Sequence, residues 1–112
     1  MPTVELYYRN KDHELQIADA IDPLKVFIAE KLTCGDISLA PEEVSIRGIH
    51  IALSKGMIAD VELDITAAPF QERVDRQDEI SLDVQAFTKD LVPDADDVKV
   101  WLKLHELGHS FE

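Results

Sequence analysis

Hydrophobic and polar residues alternate with a period of two along four segments of the chain, which predicts four β-strands. Opposite the apolar face, the third segment has a continuous polar face and the last one a polar face interrupted by Trp101, so one side of the sheet is expected to be only partly covered. The predicted strands are centred on Val4, Leu6 and Tyr8; on residues 44–51; on Ala59, Val61, Leu63 and Ile65; and on Val98, Val100, Leu102 and Leu104.

Apolar residues recur at spacings of three and four in two other segments, which predicts two amphipathic helices. Pro23 lies inside the first stripe, so it either kinks one long helix or, with Asp22 as N-cap, begins a shorter one. The unbroken stripe favours the kinked helix. That helix is expected to end near Cys34-Gly35, and Pro93 is expected to end the second helix. The two stripes are Ile17, Ile21, Leu24, Ile28 and Leu32, and Ile80, Val84, Phe87 and Leu91.

A short internal repeat relates the two halves of the chain. Residues 3–6 (TVEL) resemble residues 60–63 (DVEL), and residues 42–46 (EEVSI) resemble residues 96–100 (DDVKV), at nearly the same offset. We therefore interpret residues 1–112 as a single α/β (α+β) domain with pseudo-repeats at approximately 2–51 and 58–106. Each half has the pattern of a βαβ unit, and a turn at Ser54-Lys55-Gly56 is expected between the halves. A βαβ unit places its two strands parallel.

Duplicated βαβ units predict one mixed four-stranded sheet with both helices on one face. The opposite face would then carry Glu62, Asp64 and Trp101, together with Tyr7. A face of this mixed character suits a sheet that borders the central channel of an oligomer, which is a hypothesis from the pattern alone.

The composition limits which classes of partner and which cellular compartment we expect. The formal net charge of −12 would repel a phosphate backbone, so no nucleic-acid partner is expected. Cys34 is the single cysteine, no apolar run approaches the ~20 residues of a membrane helix, and the first residues do not resemble a secretory signal. These features predict a cytoplasmic protein with no membrane partner.

Pro2 is the first candidate for chemistry. If Met1 is removed, proline presents a secondary amine at the start of a strand. An α-amino group titrates near ~8, and burial or a nearby cation lowers that pKa by disfavouring the charged form. A neutral amine at physiological pH can act as a general base.

A Met-Pro start that opens a strand, a duplicated βαβ pattern and about 110 residues together resemble the tautomerase superfamily. Within it, the layout is similar to the macrophage migration inhibitory factor and 5-carboxymethyl-2-hydroxymuconate isomerase groups, which are trimers. The segment Val44-Ser45-Ile46-Arg47 is similar to the strand that carries a substrate-binding arginine in 4-oxalocrotonate tautomerases.

The resemblance implies a cofactor-free tautomerase or isomerase that works as a homotrimer, with Pro2 as the catalytic base on a small carboxylate-bearing keto or enol substrate. By the same resemblance Arg47 binds the substrate carboxylate, Arg9 is a weaker candidate for that role, and Lys99 and Trp101 contribute a polar and an apolar pocket wall. Residues 35–38 (GDIS) lack the lysine that migration inhibitory factors carry near that position. This departure leaves open a non-catalytic member of the fold, kept for assembly or partner binding.

The segment His105-Glu106-Leu107-Gly108-His109 fits the zincin pattern H-E-x-x-H, in which two histidines one helical turn apart bind zinc. A zinc hydrolase is therefore a second alternative. The period-two alternation of residues 98–104 instead predicts that the segment lies at the end of a strand, and a catalytic zinc normally needs a third protein ligand. We accordingly interpret it as a polar C-terminal segment and predict no metal site.

Overall fold

The computed structural model describes residues 2–105, which form one four-stranded sheet with helices packed on it. The elements are β1 (Thr3–Tyr8), a 3-10 turn (Lys11–His13), α1 (Glu14–Leu32), a second 3-10 turn (Pro41–Glu43), β2 (Ser45–His50), β3 (Val61–Ala67), α2 (Gln71–Asp75), α3 (Gln77–Leu91) and β4 (Val98–Leu104). The predicted strands and long helices are all present. The boundaries of the pseudo-repeats stay a prediction.

The strand order is β2-β1-β3-β4, with β1 parallel to β2, antiparallel to β3, and β3 parallel to β4. The predicted mixed sheet is therefore confirmed, as are the parallel pairs within each βαβ unit. Because β1 separates β2 from β3, the predicted turn at residues 54–56 is part of a longer connection over residues 51–60 that passes the end of β1.

One face of the sheet forms the hydrophobic core with α1 and α3. Most of the alternate residues predicted to point inward are almost fully buried, as are most residues of the helix stripes. The exceptions are partly buried: Val100 and Leu104 on β4, Ile21 on α1, and Phe87 and Leu91 on α3. The Phe27 and Phe87 rings stack at a centroid distance of 4.1 Å, and Lys31 forms an ion pair with Asp83 at 3.0 Å. These contacts join α1 to α3 above the sheet.

Helix α1 runs through Pro23 as one helix, so the alternative in which Asp22 caps a shorter helix is wrong. The helix ends at Leu32, two residues before the predicted end. Gly35 does have a positive φ of 53°, but it serves the tight turn in which Cys34 and Ile37 pair rather than the end of the helix. Among residues 2–105, no helix has both the length and the apolar character required to cross a membrane.

Leu63→Ala tests the placement of the core. Leu63 has 0% exposure at the centre of β3, so the truncation should leave a cavity and lower the free energy of unfolding by about 2–5 kcal/mol. Leu53→Ala makes the same chemical change at a side chain that is 93% exposed, and it should change the free energy of unfolding by less than about 0.5 kcal/mol. Urea unfolding followed by circular dichroism measures both; equal effects would contradict the assigned core.

Candidate functional site

Pro2 lies buried at the start of the central strand, with Met1 outside the described residues. Its carbonyl oxygen accepts a hydrogen bond from the backbone N–H of Ser45 at 3.1 Å, which fixes it beside the first residue of β2. Thr3 pairs with Thr66, so the register of β3 brings Ala67 opposite Pro2. The first residues of the chain are thus held between two strands.

A cavity of about 250 Å³ lies over the start of β1 and β2, next to Pro2 along the chain. Arg47 lies on this open face of the sheet, because Val4 and Ile46 share the helix-covered face and Arg47 pairs with Glu5. Arg47 is exposed and makes no ion pair with another residue in the range 2–105. Its Cα lies about 10 Å along the strand from the level of Pro2, within reach of a long side chain and a small substrate. The cavity is lined by Thr3, Val4, Glu5, Ser45 and Arg47.

Glu5 places a carboxylate in the same cavity, and the Tyr7 hydroxyl donates a hydrogen bond to it. That hydrogen bond, reinforced by burial and by the negative charges of Glu5 and Asp64, raises the pKa of Tyr7. Tyr7 therefore remains a neutral donor to Glu5 throughout the physiological pH range. The cavity presents one cation, Arg47, and one carboxylate that is already hydrogen-bonded.

Arg73 is a functional candidate that the sequence analysis missed. Its side chain is only 3% exposed, and its guanidinium donates to the Leu32 carbonyl at 2.9 Å and to the Ala68 carbonyl at 3.2 Å, with the Phe70 ring 4.7 Å away. Burial lowers its pKa. No carboxylate within residues 2–105 forms an ion pair with it. Ala67 lies opposite Pro2, and Ala68 follows it along the chain. The buried positive charge of Arg73 therefore lies at the Pro2 end of the sheet. No periodic or motif signal marked this arginine.

Arg9 lies at the other end of the sheet, about 23 Å from Pro2 along β1. Its Nε donates to Asp60 Oδ1 at 2.9 Å, and its Nη2 lies 2.8 Å from the same oxygen. Asp60 Oδ2 accepts from the Asp96 N–H at 2.7 Å. The pKa of Asp60 is lowered by the hydrogen bond from the Asp96 N–H and, to a smaller extent, by Arg9 and His13. Burial of the carboxyl raises the pKa but does not outweigh these contacts. Within one chain, Arg9 is paired and remote from Pro2.

Lys99 and Trp101 also lie away from Pro2 within one chain. Lys99 is in the row of Tyr7 and Glu62, towards the Arg9 end of the sheet, where its Nζ donates to the Met57 carbonyl at 3.2 Å. Trp101 is 56% exposed and lies in the row of Arg47, but three strands away, or about 14 Å. Within one chain Arg47 therefore lies one strand from Pro2 and about 10 Å along the sheet, Trp101 lies two strands from Pro2 in the same row, and Lys99 and Arg9 lie farther along the sheet.

Of the zincin-like segment, only His105 belongs to the described residues; Glu106 and His109 lie outside them. The His105 N–H donates to the Ala67 carbonyl at 3.2 Å, which extends the β3–β4 ladder by one residue. His105 thus continues a strand, as the alternation of the preceding residues predicted. Within residues 2–105, no three side chains of the types that bind metals converge.

The fold recurs in solved structures of very different sequence. A protein of unknown function from Vibrio cholerae has a TM-score of 0.60 at 11% identity, over 99% of this chain and 84% of its own. A fused 4-OT, described as a symmetric trimer, has a TM-score of 0.59 at 11% identity, over 91% of this chain and 84% of its own. A macrophage migration inhibitory factor-like protein from Entamoeba histolytica has a TM-score of 0.57 at 8% identity, over 97% of this chain and 95% of its own.

No protein-family model matches the sequence, and no curated protein matches it. The structural likeness therefore establishes the fold and not an activity. The predicted resemblance to the tautomerase superfamily is confirmed at that level, because its members 4-OT and the migration inhibitory factor-like protein share the architecture.

Asp60→Asn tests the charge cluster at the Arg9 end. The pKa of Asp60 is lower in the folded chain than the ~3.9 of an unfolded aspartate, so its carboxylate stabilises the fold above that pH. This contribution is lost as the pH falls through the folded pKa. We expect Asp60→Asn to be less stable at neutral pH, and wild type to lose stability more steeply below about pH 5.

The measurement is the free energy of unfolding in urea at several acidic and neutral pH values. Asp36→Asn is the matched control, because Asp36 is exposed and forms no ion pair with the described residues. Parallel pH profiles for wild type and Asp60→Asn would show that this carboxylate is not held as described.

Proposed function

We propose that this protein is a cofactor-free tautomerase or isomerase in which Pro2, freed by removal of Met1, acts as the general base on a small keto or enol carboxylate. The observation that carries the proposal is the burial of Pro2 at the head of the central strand, one residue before a cavity lined by Arg47, which forms no ion pair with the described residues 2–105. The shared fold supports it, because the neighbours of known type are tautomerase superfamily proteins.

The chemistry follows from the placement of these groups. Burial disfavours the protonated form of a free imino nitrogen, and the buried charge of Arg73 at the same end of the sheet acts in the same direction. A neutral Pro2 nitrogen can take a proton from the carbon next to the substrate carbonyl and return it to another atom of the resulting enolate. No electrons are exchanged with a cofactor in this step.

Arg47 has the complementary role. Its guanidinium can donate two parallel hydrogen bonds to the substrate carboxylate, which fixes the orientation of the carbon that loses its proton. A cation near the reacting carbonyl also stabilises the negative charge that develops on the enolate oxygen. Glu5 lies in the same cavity, but it accepts a hydrogen bond from Tyr7, which lowers the negative charge that it presents to the substrate.

We further propose that the active assembly is a homotrimer with sites between subunits. The fused 4-OT neighbours are described as trimers. Within one chain Lys99, Trp101 and Arg9 lie far from Pro2, so a contribution from them to the pocket requires a neighbouring copy.

A non-catalytic protein of the same fold is the second candidate. The specific observation in its favour is that Asp60 neutralises Arg9 and that a carboxylate, Glu5, lines the same cavity as Arg47. Such a protein would form the same assembly but would not catalyse the reaction.

Pro2→Ala separates these two functions. Intact mass should first show that Met1 is absent from the purified protein, because a retained methionine would block the amine. Wild type should then ketonise the enol of phenylpyruvate or 2-hydroxymuconate, and Pro2→Ala should lower kcat by about 10²–10⁴-fold. The measurement is absorbance-monitored turnover between about pH 5 and pH 9.

Pro93→Ala is the matched control, since Pro93 is exposed after α3 and lies outside the proposed site. It should retain wild-type turnover. Activity that is indifferent to Pro2, or no turnover by wild type at any of these pH values, would favour the non-catalytic candidate.

Arg47→Gln tests carboxylate binding. Loss of a charge-assisted hydrogen-bonding pair should raise KM for phenylpyruvate by roughly 10–100-fold, corresponding to about 1.5–3 kcal/mol. Arg47→Lys should recover part of the loss, because it restores the charge but not the two-point geometry. Arg76→Gln removes an arginine that is paired with Glu79 on α3 and should leave KM unchanged. If the methyl ester of the substrate suffers the same loss as the acid, Arg47 does not bind the carboxylate.

A further inference from the structure

Two side chains of opposite charge line the cavity over the start of β1 and β2 without forming an ion pair. Glu5 and Arg47 face each other in the register of the two parallel strands, so their Cα atoms lie about 5 Å apart. Opposite charges at this spacing attract each other. Among the described residues 2–105, however, no ion pair joins Glu5 to Arg47. Both charges are therefore available to a molecule bound in the cavity.

The Tyr7 hydroxyl holds the Glu5 carboxylate in place. Tyr7 lies two residues further along β1 on the same face, and its hydroxyl donates a hydrogen bond to Glu5 Oε2. Glu5 itself is half-buried. A carboxylate accepts several hydrogen bonds, so the one from Tyr7 leaves Glu5 able to accept another from a ligand.

The cavity is polar, and the charges of its two ionised side chains cancel. Its other polar groups are the hydroxyls of Thr3 and Ser45, which pair with each other one row closer to Pro2. A ligand carboxylate bound to Arg47 would therefore lie beside a carboxylate of the protein. The ligand group that faces Glu5 has to donate a hydrogen bond, because an acceptor or a second negative charge at that point would be repelled.

The two tautomers of a 2-keto acid differ in the group that lies next to the carboxylate. In the keto form, carbon 2 carries a carbonyl oxygen, which only accepts hydrogen bonds; in the enol form, it carries a hydroxyl, which donates. A protein carboxylate next to the carboxylate-binding arginine therefore favours the enol. The Cα of Glu5, like that of Arg47, lies about 10 Å along the strand from the level of Pro2, so the remaining atoms of a small ligand extend towards Pro2.

We infer that Glu5 determines the specificity of this site by accepting a hydrogen bond from the hydroxyl on carbon 2 of an enol, while Arg47 holds the neighbouring carboxylate. The substrate class is then a 2-hydroxy-2-enoate, the enol of a 2-keto acid, with one carboxylate at the end that enters the cavity. This inference rests on the proposed function and names the tautomer that its site binds. Glu5 acts by binding, and no bond to it forms or breaks.

Three stable ligands with the carbon skeleton of phenylpyruvate test this inference without any turnover. On carbon 2, 3-phenyllactate has a hydroxyl, 3-phenylpropionate has only hydrogen, and benzylmalonate has a second carboxylate. In titrations followed by NMR, the better-bound enantiomer of 3-phenyllactate should bind wild type roughly 10–100-fold more tightly than 3-phenylpropionate, because it adds a hydrogen bond to a charged group. Benzylmalonate should bind more weakly than 3-phenylpropionate, because its second carboxylate meets Glu5.

Glu5→Gln removes the charge but keeps the length of the side chain and an oxygen that accepts from Tyr7. It should lower the preference for 3-phenyllactate over 3-phenylpropionate by about 5–10-fold, since a hydrogen bond to a neutral acceptor is weaker. The affinity for benzylmalonate should rise. Glu62→Gln is the matched control, because it makes the same change on β3 beside Tyr7 and Glu62 does not line the cavity. It should leave the order and the ratios of the three affinities as in wild type.

Equal affinities of wild type for 3-phenyllactate and 3-phenylpropionate would overturn the inference, and so would a preference that Glu5→Gln leaves unchanged. The comparison on wild type is decisive even if Glu5→Gln does not fold. A wild type that binds none of the three ligands at about 10 mM would overturn the inference together with the carboxylate-binding role of Arg47. An inactive wild type that still prefers 3-phenyllactate would support the inference and contradict the proposed turnover alone.

Discussion

The insertion of β1 between β2 and β3 is the constraint on which the rest of the structure depends. It makes the first residues of the chain part of a sheet centre, with Leu6 beside Leu63 in the core. A chain start on an edge strand would leave Pro2 in water. Between two strands, its carbonyl is bonded to Ser45 and its ring is buried, which is the environment in which an imino group loses its affinity for a proton.

The strand order also separates the charged groups into two ends. Parallel β1 and β2 start at the Pro2 end, where Arg47 and the buried Arg73 supply positive charge. The Arg9 end instead holds Asp60, which neutralises Arg9 and anchors the loop before β4 through Asp96. One end is thus suited to an anionic ligand, and the other holds a structural cluster in which Arg9 and Asp60 neutralise each other.

One face of the sheet is not covered by the helices. Arg47, Glu5, Asp64 and Trp101 form one row across the uncovered side of the sheet, and the β2 edge lies at the Arg47 end of that row. Arg47 and Glu5 of this row line the cavity over the start of β1 and β2, so this cavity lies on the uncovered face.

By itself the sequence determined which segments are strands and which are helices, because the periods of two and of three to four depend only on which side chains need burial. The stripe around Pro23 even predicted the uninterrupted α1. Only the tertiary structure decided the strand order, the pairing of Arg9 with Asp60 and the position of Arg73 near Pro2. These depend on contacts between residues tens of positions apart, such as Arg9 with Asp60 and Arg73 with Leu32, and no local pattern of side chains encodes which distant partner a charge will meet.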